Sequence, residues 1–281
     1  MPAQLRAMEK ADLGAAHALS VEVGWPHRRE DWRFVHEVGH GIVACDAGGR
    51  VMGTAMWWPF GPSFATVGMV IVSPSLQARG LGRSLVRAVF DAAGSRMLQL
   101  NATSAGLRLY ESEGFCAVGE IRQHNGMSRM ASPGLADEAF KIRELTETDC
   151  PRLATLDRAA YGADRRDMFT ALAGKATCSL YEQDGTVLGF ALCRPFGKGR
   201  VIGPIVAVDD AAAIELTKLH LAAHDGGFLR IDTPLRDGPF PRFLEEFGLV
   251  ARNTVVTMAR GGLASPAGPA HIFGLVNQAL G

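Results

Sequence analysis

The residues best suited to chemistry lie in one run, Val70-Ile-Val-Ser-Pro-Ser-Leu-Gln-Ala-Arg-Gly-Leu-Gly-Arg-Ser-Leu-Val86. Its apolar start reads as a strand and stops at Pro74, which has no N–H to give a ladder. Gln77-Ala78-Arg79-Gly80-Leu81-Gly82 follows, and Leu85, Val86, Val89 and Phe90 then recur at helical spacing. A strand, a glycine-containing turn and a helix start together make an anion site. The first-turn N–H groups lack intrahelical acceptors, and the helix dipole favours negative charge there. Gly80 and Gly82 permit positive φ and close approach of a pyrophosphate to the backbone. Arg79 and Arg83 can add charge-assisted contacts. The competing reading is a plain strand–helix turn with solvated arginines. No Lys-Ser/Thr pair follows, as a P-loop requires, and the glycines do not open a βαβ unit as a dinucleotide fingerprint would.

The elements that must position this run are legible in order. Helix Ala11–Val23 is followed by strands Ile42–Asp46 and Val51–Trp58 around a Gly48-Gly49 turn, then by a break at Pro59-Phe60-Gly61. Strand Thr66–Val72, helix Gly82–Ala93, strand Met97–Asn101, helix Ser104–Ser112 and two closing strands complete the first half. The second half repeats the order. Helix Cys150–Ala160 precedes strands Ser179–Glu182 and Val187–Cys193 around Asp184-Gly185, with a break at Pro195-Phe196-Gly197. Strand Val201–Ala207, helix Ala211–Ala223, strand Phe228–Asp232 and helix Pro241–Phe247 follow. Ala131–Ala139 reads as a linker, dividing the chain into domains at 1–130 and 140–281. The fold class expected is α/β with mixed sheets, two similar domains in tandem, and an apolar tail, His271–Leu280, packed back on the body.

The bulk properties exclude several classes. Lys+Arg and Asp+Glu both number 29, for a formal net charge of +0, so neither a nucleic-acid nor a membrane-surface role is supported. Five scattered cysteines without C-x-x-C spacing argue for reduced thiols in a cytoplasmic protein and against a metal site. Met1–Gly14 has no apolar run, so no signal peptide is expected.

Val72-x-Pro74 followed by Gln77-x-x-Gly80-x-Gly82, with Leu109-Tyr110-x-x-x-Gly114-Phe115 downstream, resembles the GCN5-related N-acetyltransferase (GNAT) family over residues 1–130. The resemblance implies acetyl-CoA as co-substrate and transfer of its acetyl group to a primary amine by direct attack on the thioester. It assigns the pantetheine arm to the backbone around Val70 and Val72, and the pyrophosphate to Gln77, Ala78, Arg79, Gly80, Leu81, Gly82 and Arg83, with a hydroxyl contact from Ser84. Tyr110 becomes the acid for the departing thiolate. The family often carries Asn seven residues before that tyrosine; here the position is Thr103.

Trp25, His27 and Trp32 form a candidate aromatic wall for the amine. No general base stands out; Glu22, His27, Glu30 and Asp31 lie in a segment expected to form substrate-side loops. His124 falls in an Arg122–Gly126 stretch expected to be an exposed hairpin turn. In the second half Asp209-Asp210-Ala-Ala-Ala replaces the phosphate loop and no tyrosine counterpart is present. That half resembles a degenerate acetyltransferase domain shaping the substrate pocket, where Arg194, Arg200 and Asp232 either face the pocket or form ion pairs. The expected acceptor is a small-molecule amine and the expected state a monomer or homodimer. A protein lysine or N-terminal acetyltransferase, and a non-catalytic acyl-CoA sensor, are the alternatives.

Overall fold

The computed structural model describes residues 3–77, 79–132 and 139–281. Ala78 and most of the expected linker therefore lie outside the described residues. The first half runs β1 (Gln4–Ala7), α1 (Leu13–Glu22), α2 (Arg29–Glu37), β2 (His40–Cys45), β3 (Val51–Phe60), β4 (Phe64–Val72), α3 (Leu81–Ala93), β5 (Met97–Ala102), α4 (Leu107–Ser112) and β6 (Cys116–Met127). The second runs β7 (Phe140–Glu144), α5 (Cys150–Tyr161), α6 (Arg166–Leu172), β8 (Thr177–Gln183), β9 (Thr186–Phe196), β10 (Gly199–Ala207), α7 (Asp210–Ala223), β11 (Phe228–Thr233), α8 (Pro239–Glu246), β12 (Val250–Arg260) and β13 (His271–Gly274).

The strands form one mixed sheet in the order β1-β2-β3-β4-β5-β12-β6-β11-β10-β9-β8-β7, with β13 added on β10. The halves are joined by an exchange. β12, the last long strand of the second half, lies between β5 and β6 of the first, and β6 in turn pairs with β11 of the second. A division near residue 130 in sequence is thus no division of the sheet. The two closing strands expected after α4 are a single 12-residue strand, and Arg122–Gly126 is its interior. His124 is accordingly 1% exposed, its Nδ1 3.1 Å from the Leu249 carbonyl, because both neighbouring strands cover it.

Helices cover the sheet with their apolar stripes. α3 buries Leu85, Val86, Val89 and Ala93 on β3 and β4, as the helical spacing of those residues requires. α7 covers β8, β9 and β10, and Asp209 caps it by accepting from the Ala212 N–H at 2.8 Å. α2 occupies the stretch expected to be loop. Its N-terminus is closed by Asp31, which accepts from the Arg28 backbone and guanidinium and also from Gly197 N–H.

The tail packs back as expected, and a buried ion pair fixes it. Arg165 and Asp157, both with fully buried side chains, pair through two hydrogen bonds, and Arg165 also donates to the carbonyl oxygens of Leu280 and Gly281. Removing one partner strands a charge in the interior, so Arg165→Met is expected to lower stability by about 3–5 kcal/mol, and Asp157→Leu with Arg165→Met to restore most of it. Urea denaturation midpoints of the two variants check this; equal midpoints for Arg165→Met and wild type would refute the anchoring role.

Candidate functional site

β4 and β5 run parallel and pair from Phe64↔Met97 to Val67↔Leu100, and there the pairing ends. On its other side β4 loses register with β3 between Met56↔Gly68 and Thr54↔Ile71, so Met69 and Val70 have no register partner in either neighbour. Met69 takes φ 52, a conformation unusual for a side chain of its size, and the Thr54 hydroxyl fixes it by donating to the Met69 carbonyl at 2.8 Å. A bulge next to a splay leaves backbone N–H and C=O groups of β4 facing a gap, and such groups need a partner. An extended, amide-bearing chain is the kind of partner such backbone groups take.

The gap leads into a cavity of about 320 Å³ bounded by both halves. Val70, Thr103 and Tyr110 line it from the first half, and Trp25 and His27 close it from the turn after α1. The strand exchange brings Gln123, Arg230 and Asn253 to it, and the tail adds Asn277, Gln278 and Ala279. These last six were missed by sequence reasoning. Arg230 could be placed on a strand, but nothing local shows that this strand neighbours β6. Asn101, also on the wall, is held at both ends of its amide, donating to the Gln278 carbonyl and accepting from the Thr257 hydroxyl, each at 2.8 Å.

Beyond the gap, Gly80 caps α3 at φ 82, and the N–H groups of the first turn follow. Gln77 donates to the Val72 carbonyl and Ser84 to the Gly80 carbonyl. Arg83 is engaged with Glu113 at 3.0 Å and with Ser112, whereas Arg79 makes no ion pair among the described residues. A Cβ on Gly82 would meet only Leu109 and Val72 at ordinary distances, so this glycine keeps space clear over the helix start rather than avoiding a clash.

Tyr110 is 8% exposed, edge-on to Phe115, and burial pushes its pKa up to about 12. It is a phenol that holds its proton at neutral pH. Burial pushes His27 down to about 4, against the opposing pull of Asp31, with Arg230 and Arg194 adding to the fall. His27 sits between Trp25 and Phe196 with ring centroids 5.5 and 5.4 Å away.

Trp32 departs from the expected wall. It is fully buried and donates Nε1 to the Ser20 hydroxyl, because α2 turns it into the core. The candidate carboxylate bases are likewise elsewhere. Glu22 accepts from Ser73, Glu30 is exposed beside Arg33, and Asp31 is the α2 cap. Burial alone would raise the Asp31 pKa; the Arg28 guanidinium and the N–H groups of Arg28 and Gly197 outweigh it and hold it low. Arg194 is 4% exposed, and Asp232 is paired with Arg230 at 2.8 Å. Among the described residues no cluster of His, Cys, Asp or Glu is placed to hold a metal ion, and no helix is long and apolar enough to cross a membrane.

The second half contains the same splay, differently filled. β10 pairs with β11 only at Arg200↔Leu229 and Val201↔Arg230, and it too loses register, between Ile202 and Ile205. Here β13 occupies the gap, pairing with β10 from Ile205↔Gly274 to Ala207↔His271, while Leu275 N–H reaches the Asp232 carbonyl at 2.8 Å. The chain's own tail takes the backbone groups that the first half leaves open.

Comparison with known proteins agrees with this geometry. Residues 37–117 and residues 153–274 each match a family profile described as an acetyltransferase (GNAT) domain. The chain is 29% identical over 266 residues to the uncharacterized N-acetyltransferase YitH of Bacillus subtilis (strain 168), covering 92% of each. A Pyrococcus horikoshii protein assigned as an acetyltransferase shares the fold with a TM-score of 0.82 at 19% identity, over 100% of this chain and 96% of that one. A tandem GNAT protein from the clavulanic acid biosynthesis pathway shares it with a TM-score of 0.62 at 15% identity, over 94% and 100%. With two such domains in one chain, on a fold shared end to end with a tandem relative, this protein belongs to the GNAT family as a tandem N-acetyltransferase.

Proposed function

We propose that the first half holds acetyl-CoA and passes its acetyl group to a small-molecule amine bound in the cavity between the halves. The observation that carries this reading is the paired contrast of the splays, one open onto a cavity with Tyr110 and one filled by β13. Acetyl-CoA, when bound, supplies an activated acyl group. Val70 and Val72 offer backbone groups to its arm, and Gly80, Leu81 and Gly82 offer first-turn N–H groups to its pyrophosphate, with Arg79 adding charge. Met69 and Val70 have no register partner in either neighbouring strand, and a backbone N–H there would serve as donor to the acyl oxygen as it gains negative charge. Tyr110, protonated throughout the neutral range, would give its proton to the leaving sulfur, and the proton that the nitrogen sheds on acylation would restore the phenol.

The small-molecule reading rests on enclosure. The acceptor side is bounded by the turn after α1, by β11 and β12, and by the tail, and the whole cavity, acyl side included, measures about 320 Å³, a size that suits a compact ligand. His27 is too weak a base to deprotonate an amine, and no carboxylate lines the cavity among the described residues. The amine therefore enters as the free base.

Two outcomes test the reading. Tyr110→Phe is expected to lower kcat about 100-fold while the acetyl-CoA Kd stays within about threefold, and Gly82→Asp to abolish acetyl-CoA binding, measured by thiol release and calorimetry. Unchanged turnover in the first variant removes Tyr110 as the acid, and normal binding in the second removes the loop. The pH profile is the other outcome. His27 is neutral above about 4 and Tyr110 protonated below about 12, so neither titrates between those values. In that window kcat/KM should rise with pH, tenfold per unit, and level off at the solution pKa of the amine used. A profile that breaks at one fixed pH for amines of different pKa would instead reveal a titrating enzyme base.

A further inference from the structure

The acceptor side of the cavity carries a charge pattern that bears on which amine it takes. A second cavity adjoins the first, and Pro26, Gln123, Phe196 and Arg230 line both. It adds Lys198, an exposed residue that makes no ion pair among the described residues. Among the described residues no Asp or Glu lines either cavity. Asp232 lies near but is fully buried, and its carboxylate is spent on Arg230 and on the Gln278 amide.

Arg230 is held in one orientation by that pair. Its Nε and Nη2 donate to Asp232, while Nη1 has no partner among the described residues. Phe196 lies between two guanidiniums, Arg230 at 5.3 Å and Arg194 at 5.1 Å from the ring centroid. Arg194 is 4% exposed and, among the described residues, makes no ion pair; its Nη2 donates to the Val276 carbonyl at 3.3 Å, its Nε has no partner, and the guanidinium lies 4.8 Å from the Phe34 ring centroid. The Asp31 carboxylate favours its charge from nearby but is itself engaged by Arg28 and Gly197, so a further anion near this deep guanidinium is favourable. Burial pushes its pKa down to about 10, so it remains a cation at neutral pH.

A polycationic amine finds no counter-charge on these walls. An amine that also bears an anion finds Arg230, Lys198 and the field of Arg194 together. We propose that the acceptor is an amine carrying a carboxylate, in the class of amino acids, with the carboxylate on the Nη1 edge of Arg230 and the amine turned toward the β4 bulge. A planar carboxylate suits a guanidinium edge that is already oriented. This inference rests on the acceptor lying in the cavity between the halves, as proposed above.

The test uses matched ligands: L-α-amino acids, β-alanine and 4-aminobutyrate, each against its carboxamide, with spermidine as a polycation and glucosamine 6-phosphate as a phosphate-bearing amine. Binding is read by tryptophan fluorescence, since Trp25 lines the cavity, and turnover by thiol release with acetyl-CoA. At least one carboxylate should bind about tenfold more tightly than its carboxamide, the scale of one hydrogen bond to a charged group. Arg230→Gln with Asp232→Asn, which keeps the buried pair neutral, should erase that difference. Lys198→Glu, an exposed change that spares the fold, should weaken the carboxylate ligand about threefold and leave its carboxamide unmoved. No preference in any pair, a preference that survives the double variant, or tighter binding of spermidine or the sugar phosphate overturns the proposal. A carboxylate preference without acetyl-CoA binding refutes the acetyl-CoA reading and the acceptor role with it, and leaves the carboxylate site at Arg230 standing.

Discussion

When two neighbouring strands stop pairing inside a protein, the N–H and C=O groups they release must find partners elsewhere. That requirement governs both halves of this chain. Each has a parallel strand pair that diverges after a few residues, at Val67↔Leu100 in the first and at Val201↔Arg230 in the second. Each also has a register shift in the strand that runs into the following helix. In the second half the need is met within the chain, because β13 and Leu275 fill the gap and Asp209 satisfies the start of α7. In the first half the same groups border a cavity, and the start of α3 has glycine where α7 has its cap. The two halves differ less in fold than in what completes the fold.

The exchanged strands make that difference useful. Because β12 lies between β5 and β6, and β6 lies against β11, side chains of the second half stand opposite the open gap of the first. Arg230 and Asn253 reach the cavity only through this order. Polar ties hold the exchange from outside the sheet as well. Asp31 at the start of α2 accepts from Gly197, and Arg28 donates to the Pro195 carbonyl. These contacts set the turn that carries Trp25 and His27 against Phe196. The geometry of the acceptor side is therefore a property of both halves jointly.

How much of this could be read from sequence depends on whether the signal is local. The helix after Gly82 was legible because Leu85, Val86, Val89 and Phe90 repeat at helical spacing, and the order of elements followed from turns such as Gly48-Gly49 and Asp184-Gly185. Val70, Thr103 and Tyr110, which line the cavity, are singled out by the resemblance of their motifs to the GNAT family rather than by the order of elements. α2 was missed because its polar face, Arg29, Glu30, Arg33 and Glu37, hides a short buried stripe that includes Trp32. His124 was misplaced because Gln-His-Asn-Gly has the composition of a turn, yet two flanking strands give its backbone a ladder on each side. Strand exchange leaves no local mark at all, so Gln123, Arg230 and Asn253 could not be assigned to the site.

The tail links these themes. After β13 leaves β10, the chain turns at Asn277, whose side-chain oxygen accepts from the N–H groups of Ala279 and Leu280. That turn sets Ala279 against Gly68 on β4, so closely that a Cβ on Gly68 would lie 2.9 Å from the Ala279 Cβ. It also presents Asn277 and Gln278 to the cavity, with the end of the segment held by Arg165. The strand that fills the second half's gap therefore continues directly into a wall of the first half's cavity. An open second gap would need β13 to move, and the wall at Gly68 would move with it. Closing one gap and shaping the other are the same structural event, which explains physically why, of the two gaps in this duplicated fold, the first opens onto the cavity beside Tyr110 while the second is filled by β13.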